Sequence, residues 1–405
     1  MPIGNVNHHS PAGINPAEHT EGAETSSSGA VKPNWPTENW MHCGGRGAGP
    51  EAIRHAVLHN MQEIHQHLST LRQQNWSAGS MEAVFDTALL PTMIQAEKAH
   101  NPENTVIFHD DIFDELGEID TEQTRQVLMQ TPQMFHYVAA DIREMNGRRS
   151  VIILDSLADN PRNSIYDNPE VKDSLMSSLF PEDKVAVLCM NMQKSFYECQ
   201  IFALNATTKM AKHADFMDDL HQLNLQGSDK LAERIGAGNV RALRRMVVLD
   251  APQSLPAQFI KHAQTRSSLA QASLDIPVNK SGQTLQQRQD EKMVERTKIR
   301  TSEGQSQLQT LNFSASIEDK RLTYLERAIK YMETASASEV NALAERFNFL
   351  GKNKMIAGLA SQPRVVGPAE QMNQRLMQQS GRVADGEQNS LFNQIQATIE
   401  RLHES

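Results

Sequence analysis

Apolar residues at Ile53, Val57, Met61, Ile64, Leu68 and Leu71 recur at intervals of three and four, the spacing of one face of an amphipathic helix ending near Gln74. A second helix fits 81–98. The period then shortens. Residues 106–108, 134–142, 148–155 and 185–191 are short runs rich in β-favouring side chains, and Asn146-Gly147 predicts a hairpin between the middle two. After Cys199, the residues Ile201, Phe202, Leu204 and Ala206 predict a buried helix. The stretch 232–300 is charged and basic in places. Beyond it come a short strand in "NFSASI" and a helix over 318–332. The tail 333–405 is helical in pattern, first through "SEVNALAERFNFL", then through Leu391, Phe392, Ile395, Ile399 and Leu402 after a glycine-containing break at 381–386. Residues 1–48, rich in Gly, Pro, Ser, Asn, Thr and His, carry no apolar period and read as disordered. The expected fold class is α+β, a mostly antiparallel central sheet with packed helices rather than a dinucleotide-type alternation.

Composition narrows this picture little. The 405 residues are 39% apolar and 22% charged, which suits a globular protein with a sizeable core, while a mean hydropathy of −0.52 implies substantial polar portions. A net charge of −10 argues against nucleic acid as the default partner, although it leaves room for a local basic pocket. Three cysteines give no disulfide framework and suggest a reducing compartment. No apolar run approaches a membrane span, and neither a cleaved secretory signal nor an N-myristoylation glycine is expected at "MPIGN".

Candidate chemistry gathers at strand and helix ends. His136 falls in an early strand, Asp155 at the end of the next, and Cys199 at the start of a helix. A thiol nucleophile needs a base, and the base needs a carboxylate to hold its tautomer. A helix N-terminus favours the thiolate. Gln193, six residues before Cys199, could donate an amide N–H to an oxyanion. The competing reading makes Cys199 a small core residue, as Cys189 within "VAVLCMN" is expected to be. Cys43 falls in the leader with no base in its sequence context. The histidines at 55, 59, 65 and 67 lack a cysteine or carboxylate to complete a metal set, so no metal is expected.

The segments "HYVAADIREMNGRRSVIILDS" and "MNMQKSFYECQIFALN" resemble the YopJ/HopZ family of type III secreted acetyltransferases, the plant-pathogen HopZ-like branch included. His136 and Asp155 stand nineteen apart and Gln193 and Cys199 six apart, as in that family. "LLPTMIQAEKAHNPE" upstream and "FIKHAQ" and "NFSASIEDKRL" downstream stand in the family's order, so the likeness spans roughly residues 80–332. Two features depart from the pattern: Asp155 where many relatives carry Glu, and the tail from 333 onward. The resemblance implies a cysteine-protease-like catalytic core of the ubiquitin-like-protease clan, with a helical regulatory part. Its chemistry would be transfer of acetyl from acetyl-CoA through Cys199 to Ser, Thr or Lys of host immune-signalling proteins, with inositol hexakisphosphate as activator. It further implies coenzyme A contacts at Lys194, Ser195 and Asn205, and phosphate contacts at Lys261, His262, Arg288, Lys320 and Arg321, with Lys261 matching the autoacetylated lysine of relatives. Type III secretion into the host cytosol, with a chaperone on the N-terminal region, comes with the same likeness.

The expected organisation is therefore a secretion leader (1–48), a catalytic core (49–230), a regulatory phosphate-binding region (231–335) and a helical extension (336–405). A cysteine protease acting on ubiquitin-like conjugates is the alternative, because the same three residues serve that chemistry. A degenerate adaptor is a third reading, and the intact residue set weighs against it.

Overall fold

The computed structural model describes residues 24–25, 41–44, 47–75, 79–109, 119, 126–130, 136–158, 165–168, 173, 182–195, 197–243, 246–250, 255–269, 273–302 and 305–352. The expected features at 381–386 and at Leu391, Phe392, Ile395, Ile399 and Leu402 lie outside them, as does most of the expected leader.

Alternation of apolar residues on both faces builds the central sheet. Its strands are β2 (Ile107–His109), β3 (Gln126–Gln130), β4 (Tyr137–Met145), β5 (Arg148–Asp155), β6 (Lys184–Cys189), β7 (Asn239–Leu243) and β8 (Met246–Asp250), ordered β2-β3-β4-β5-β6-β8-β7. Along β5, Ile152 and Leu154 enter the larger core while Val151 and Ile153 enter a smaller one on the opposite face, as the two-residue period requires. The β4–β5 hairpin turns at Asn146 (φ 56) and Gly147 (φ 68), the left-handed pair expected for Asn-Gly. A second sheet pairs β9 (Met293–Ser302) with β10 (Gln305–Ser314) and with the two-residue β1 (Glu24–Thr25), all antiparallel. Antiparallel pairs outnumber parallel ones, but β2/β3, β5/β6 and β6/β8 are parallel. The fold class is α+β.

Helices cover the larger core: α1 (Pro50–Gln73), α2 (Ser80–His100), α3 (Cys199–Lys212), α4 (Ala214–Gln226), α5 (Ser228–Ile235), α6 (Ala257–Ile260), α7 (Leu285–Lys292), α8 (Ser316–Met332) and α9 (Ala337–Lys352). The periodic residues of α1, from Val57 through Leu71, are buried, each apolar side chain contributing about 1.5–3 kcal/mol. α1 and α2 pack on α8, and α9 packs on α1 and α2, so the first part of the expected extension belongs to the core. None of the described helices is long and apolar enough to cross a membrane.

The sequence reading needs correction in two places. Strands β1, β3, β7, β8 and β9 and helices α4 to α7 are absent from the sequence reading. The leader boundary at 48 is set too late: Met41 and Cys43 are buried core residues, the Cys43 backbone N–H donates to Asn348 Oδ1 (2.8 Å), and its sulfur accepts from Asn60 Nδ2 (3.2 Å). Burial pushes the Cys43 thiol up to about 11, against the Asn60 bond, so it is an inert core thiol.

Candidate active site

Parallel strands β5, β6 and β8 end on one edge of the sheet, with Asp155, Cys189 and Asp250 in register. Ligand sites in sheets of this kind favour the edge at the strand carboxyl ends. From that edge the chain runs through residues 190–198 into α3, whose first residue is Cys199. The loop is stitched to the end of β5 by backbone bonds from Met190, Asn191, Met192 and Gln193 to the carbonyls of Asp155, Leu157 and Ser156. Asn191 makes the required bend at φ 53, a left-handed conformation that asparagine tolerates.

His136 immediately precedes β4, and its Nε2 donates to Asp155 Oδ1 at 2.7 Å. The same ring is hydrogen-bonded to Cys199. Burial alone would lower the His136 pKa; the charge and hydrogen bond of Asp155, with the Cys199 contact, outweigh it and raise it to about 10. The site therefore favours an imidazolium beside Cys199, at a helix start whose first N–H groups have no intrahelical partner. Burial pushes the Asp155 carboxyl up, yet His136, the Leu157 N–H (2.8 Å) and the Tyr166 hydroxyl (2.7 Å) hold it below its ordinary value. It stays ionised.

Gln193 is committed on both ends: its Oε1 accepts from Ser156 Oγ (2.7 Å), and its Nε2 donates to the Ser195 carbonyl (2.8 Å). One amide N–H thus orders the loop. Lys194 Nζ donates to Asn191 Oδ1, and burial lowers its pKa against the pull of Asp250. Ser195 Oγ donates to Glu198, the residue before the nucleophile. Asn205 is buried on α3 with its side-chain N–H₂ unpartnered.

The expected phosphate contacts separate into two groups. Lys261, Arg288 and Lys320 form a cation cluster, and Lys209 and Lys212 of α3, which the sequence reading missed, join it. Burial lowers Lys209 to about 7 and Lys261 to about 8, and the neighbouring cations push both further the same way. The two amines are hydrogen-bonded to each other, which requires one of them to be neutral. Lys320, lowered to about 8 chiefly by burial, sits 3.9 Å above the Tyr324 ring. His262 is buried with Nδ1 against Ser316 Oγ (2.8 Å), and burial beside Lys261 and Arg288 holds it far below its ordinary pKa. It contributes a neutral ring, not a positive charge.

Arg321 corrects the expectation outright. It is 2% exposed, its Nε donates to Asp86 Oδ2 (2.9 Å), and its guanidinium lies 3.5 Å from Glu198. It serves an internal ion pair. Of the α1 histidines, His67 pairs with Glu82 (2.9 Å) and His65 with Glu326 (3.3 Å).

A family model described as YopJ serine/threonine acetyltransferase matches residues 57–327. No curated protein matches the chain. Among solved structures, an AvrA deletion variant with IP6 and CoA is similar at 20% identity and a TM-score of 0.52, covering 67% of this chain and 98% of that one. HopZ1a in complex with IP6 aligns at 20% identity and 0.53, over 70% of this chain and 93% of that one. HopZ1a with IP6 and CoA aligns at 19% and 0.53, over 68% and 98%.

Proposed function

The chain belongs to the YopJ serine/threonine acetyltransferase family, and from that premise we propose that it carries acetyl from acetyl-CoA on Cys199 to a hydroxyl or amine of a host protein. The observation that carries this reading is His136 bonded at once to Asp155 and Cys199 at a helix N-terminus. The Cys199 thiolate attacks the thioester carbonyl, and the Cys199 backbone N–H with the second N–H of Gln193 steadies the oxygen that takes up negative charge. The carbon–sulfur bond to coenzyme A breaks, and His136 protonates the departing thiolate. His136, now neutral, takes the proton of the acceptor Ser, Thr or Lys as it attacks the cysteine thioester, and the Cys199 thiolate is restored. Asp155 keeps the ring oriented throughout and stabilises it whenever it carries the proton. Lys194, Ser195 and Asn205 border this path and are proposed for coenzyme A; Asn205, buried with an unpartnered N–H₂, is the best fitted of the three.

The cation cluster supports activation by inositol hexakisphosphate, the IP6 of the similar structures. Lysines held well below their ordinary pKa by burial, and pushed further down by neighbouring cations, fit a polyanion, which would relieve that repulsion. Lys209, Lys212, Lys261, Arg288 and Lys320 would hold it, and a protease of ubiquitin-like conjugates has no need of such a cluster. Lys261 is the proposed autoacetylation site, since its low pKa favours the free amine. Delivery by type III secretion to the host cytosol, with a chaperone on the N-terminal region and immune-signalling targets, completes the reading.

Intact-protein mass spectrometry after incubation with acetyl-CoA and inositol hexakisphosphate tests it. Acetyl incorporation lost in Cys199→Ala is expected. No incorporation, together with cleavage of a ubiquitin-like fusion, would replace the reading with the protease.

A further inference from the structure

Gln264 lies three residues beyond Lys261 in "FIKHAQ", and its side chain has no hydrogen-bonding capacity left over. Oε1 accepts from the backbone N–H groups of Lys194 and Ser195 (2.8 Å for the latter). Nε2 donates to Ser195 Oγ (2.9 Å) and to Glu198 Oε2. Two lone pairs and two N–H groups are thereby matched, and the reverse orientation of the amide would set donors against donors. Its backbone is equally engaged, with the N–H donating to the Met192 carbonyl (2.9 Å) and the carbonyl accepting from Ser314 (2.8 Å). One buried residue thus grips positions 192, 194, 195 and 198 of the loop that delivers Cys199.

The other end of the same short segment belongs to the cation cluster. Lys261 is a member of it, His262 shares the Ser316 hydroxyl with Arg288, and the Ala263 carbonyl accepts from Gln289, the neighbour of Arg288 on α7. Residues 261–264 therefore run without a break from the cations to the nucleophile loop. Arg321, next to Lys320, reaches the Tyr197 carbonyl and Glu198.

We propose that Gln264 is a positioning residue through which occupancy of the cation cluster fixes the 192–198 loop and so the placement of Cys199. This rests on the acetyltransferase reading for its rate measurements, but not for its geometry. Gln264 touches no reacting atom. An anion that orders Lys261 and Arg288 orders the segment between them and Gln264, and the saturated amide passes that order to Ser195 and Glu198. Displacement of a reacting group by about 1 Å costs on the order of 100-fold in rate, so a loosened loop is enough to silence the enzyme.

The test compares wild type, Gln264→Ala and Gln264→Glu in three measurements: calorimetric affinity for inositol hexakisphosphate, acetylation rate with and without it, and the rate of Cys199 alkylation by iodoacetamide, followed by peptide mass. In Gln264→Ala the affinity is expected to stay at the wild-type value, while the stimulated rate falls at least about 10-fold and the phosphate no longer changes alkylation. Wild-type stimulation and alkylation in this variant would overturn the proposal. Should Gln264→Ala fail to fold, Gln264→Glu decides. Its carboxylate still accepts from both N–H groups but faces Glu198 without a donor, and protonation returns one. Its activity relative to wild type should therefore rise as pH falls, and a flat ratio would overturn the proposal. If wild type acetylates nothing, the enzymatic reading falls, while alkylation, which uses neither acetyl-CoA nor an acceptor, still settles the positioning role.

Discussion

The charge on His136 is the property on which the reactivity of Cys199 depends. A buried imidazole on its own would be neutral; Asp155 at 2.7 Å and the Cys199 contact raise its pKa to about 10. Asp155→Asn removes that support, and the acetylation kcat/KM should fall on the order of 1,000-fold with little change in acetyl-CoA affinity. A loss below about tenfold would mean that Asp155 only packs. Two adjacent residues on α8 make a second contrast. Arg321→Ala strands Asp86 and Glu198 in the interior and should cost about 3–5 kcal/mol in a denaturant melt. Lys320→Ala should leave the melt nearly unchanged and weaken phosphate binding. The resemblance to a family pattern singled out His136, Asp155 and Cys199, but it could not distinguish these two basic neighbours. The partner that claims Arg321 is 235 positions away, and nothing local announces it.

At the scale of elements, α3 carries the account from end to end. Its first residue is the nucleophile, and its last turn supplies Lys209 and Lys212 to the cation cluster. Two lysines three apart on a helix ordinarily read as a solvated face, which is why sequence pattern passed over them. Their place in the cluster predicts a pH dependence with a definite sign. Lys209 at about 7, and Lys261 and Lys320 at about 8, are partly neutral in the free protein, and a bound polyanion favours their protonated forms. Binding therefore takes up protons, and affinity for inositol hexakisphosphate should rise as pH falls from above about 8 to about 7. Calorimetry in buffers of different ionisation enthalpy would measure that uptake directly. Affinity independent of pH across this window, with no proton uptake, would remove the lysine pair from the site. Two of the strands that sequence missed share one cause. β7 and β9 carry Arg, Lys and Glu within short runs, and β7 leaves most of its side chains exposed or half-buried, so no apolar period marks it. β8, by contrast, is a buried run of five hidden beside β7, too short to stand out from its charged surroundings.

Across the whole molecule, helices from both ends of the described chain close over the sheet face that holds Cys199. α1 and α2 meet α8 and α9 there, and Met41 and Cys43 join the same core, with the Cys43 backbone bonded to Asn348. The α+β class and the order of the main helices were legible because apolar periods survive in any context. The leader boundary was not, since two buried residues in a polar stretch make no period. Asn348→Ala should lower stability by about 1 kcal/mol through the lost bond to the Cys43 backbone, seen as a reduced denaturation midpoint. No change in midpoint would detach this segment from the core. The central claim is that the acyl group rests on Cys199 between the two half-reactions. It is tested most directly by acid-quenching the protein within the first turnover with acetyl-CoA and inositol hexakisphosphate and mapping acetyl by peptide mass. The account predicts a hydroxylamine-labile acetyl group on the peptide containing Cys199, absent in His136→Ala. Acceptor acetylation at full rate in Cys199→Ala, with no labile acetyl on the wild-type cysteine, would contradict it.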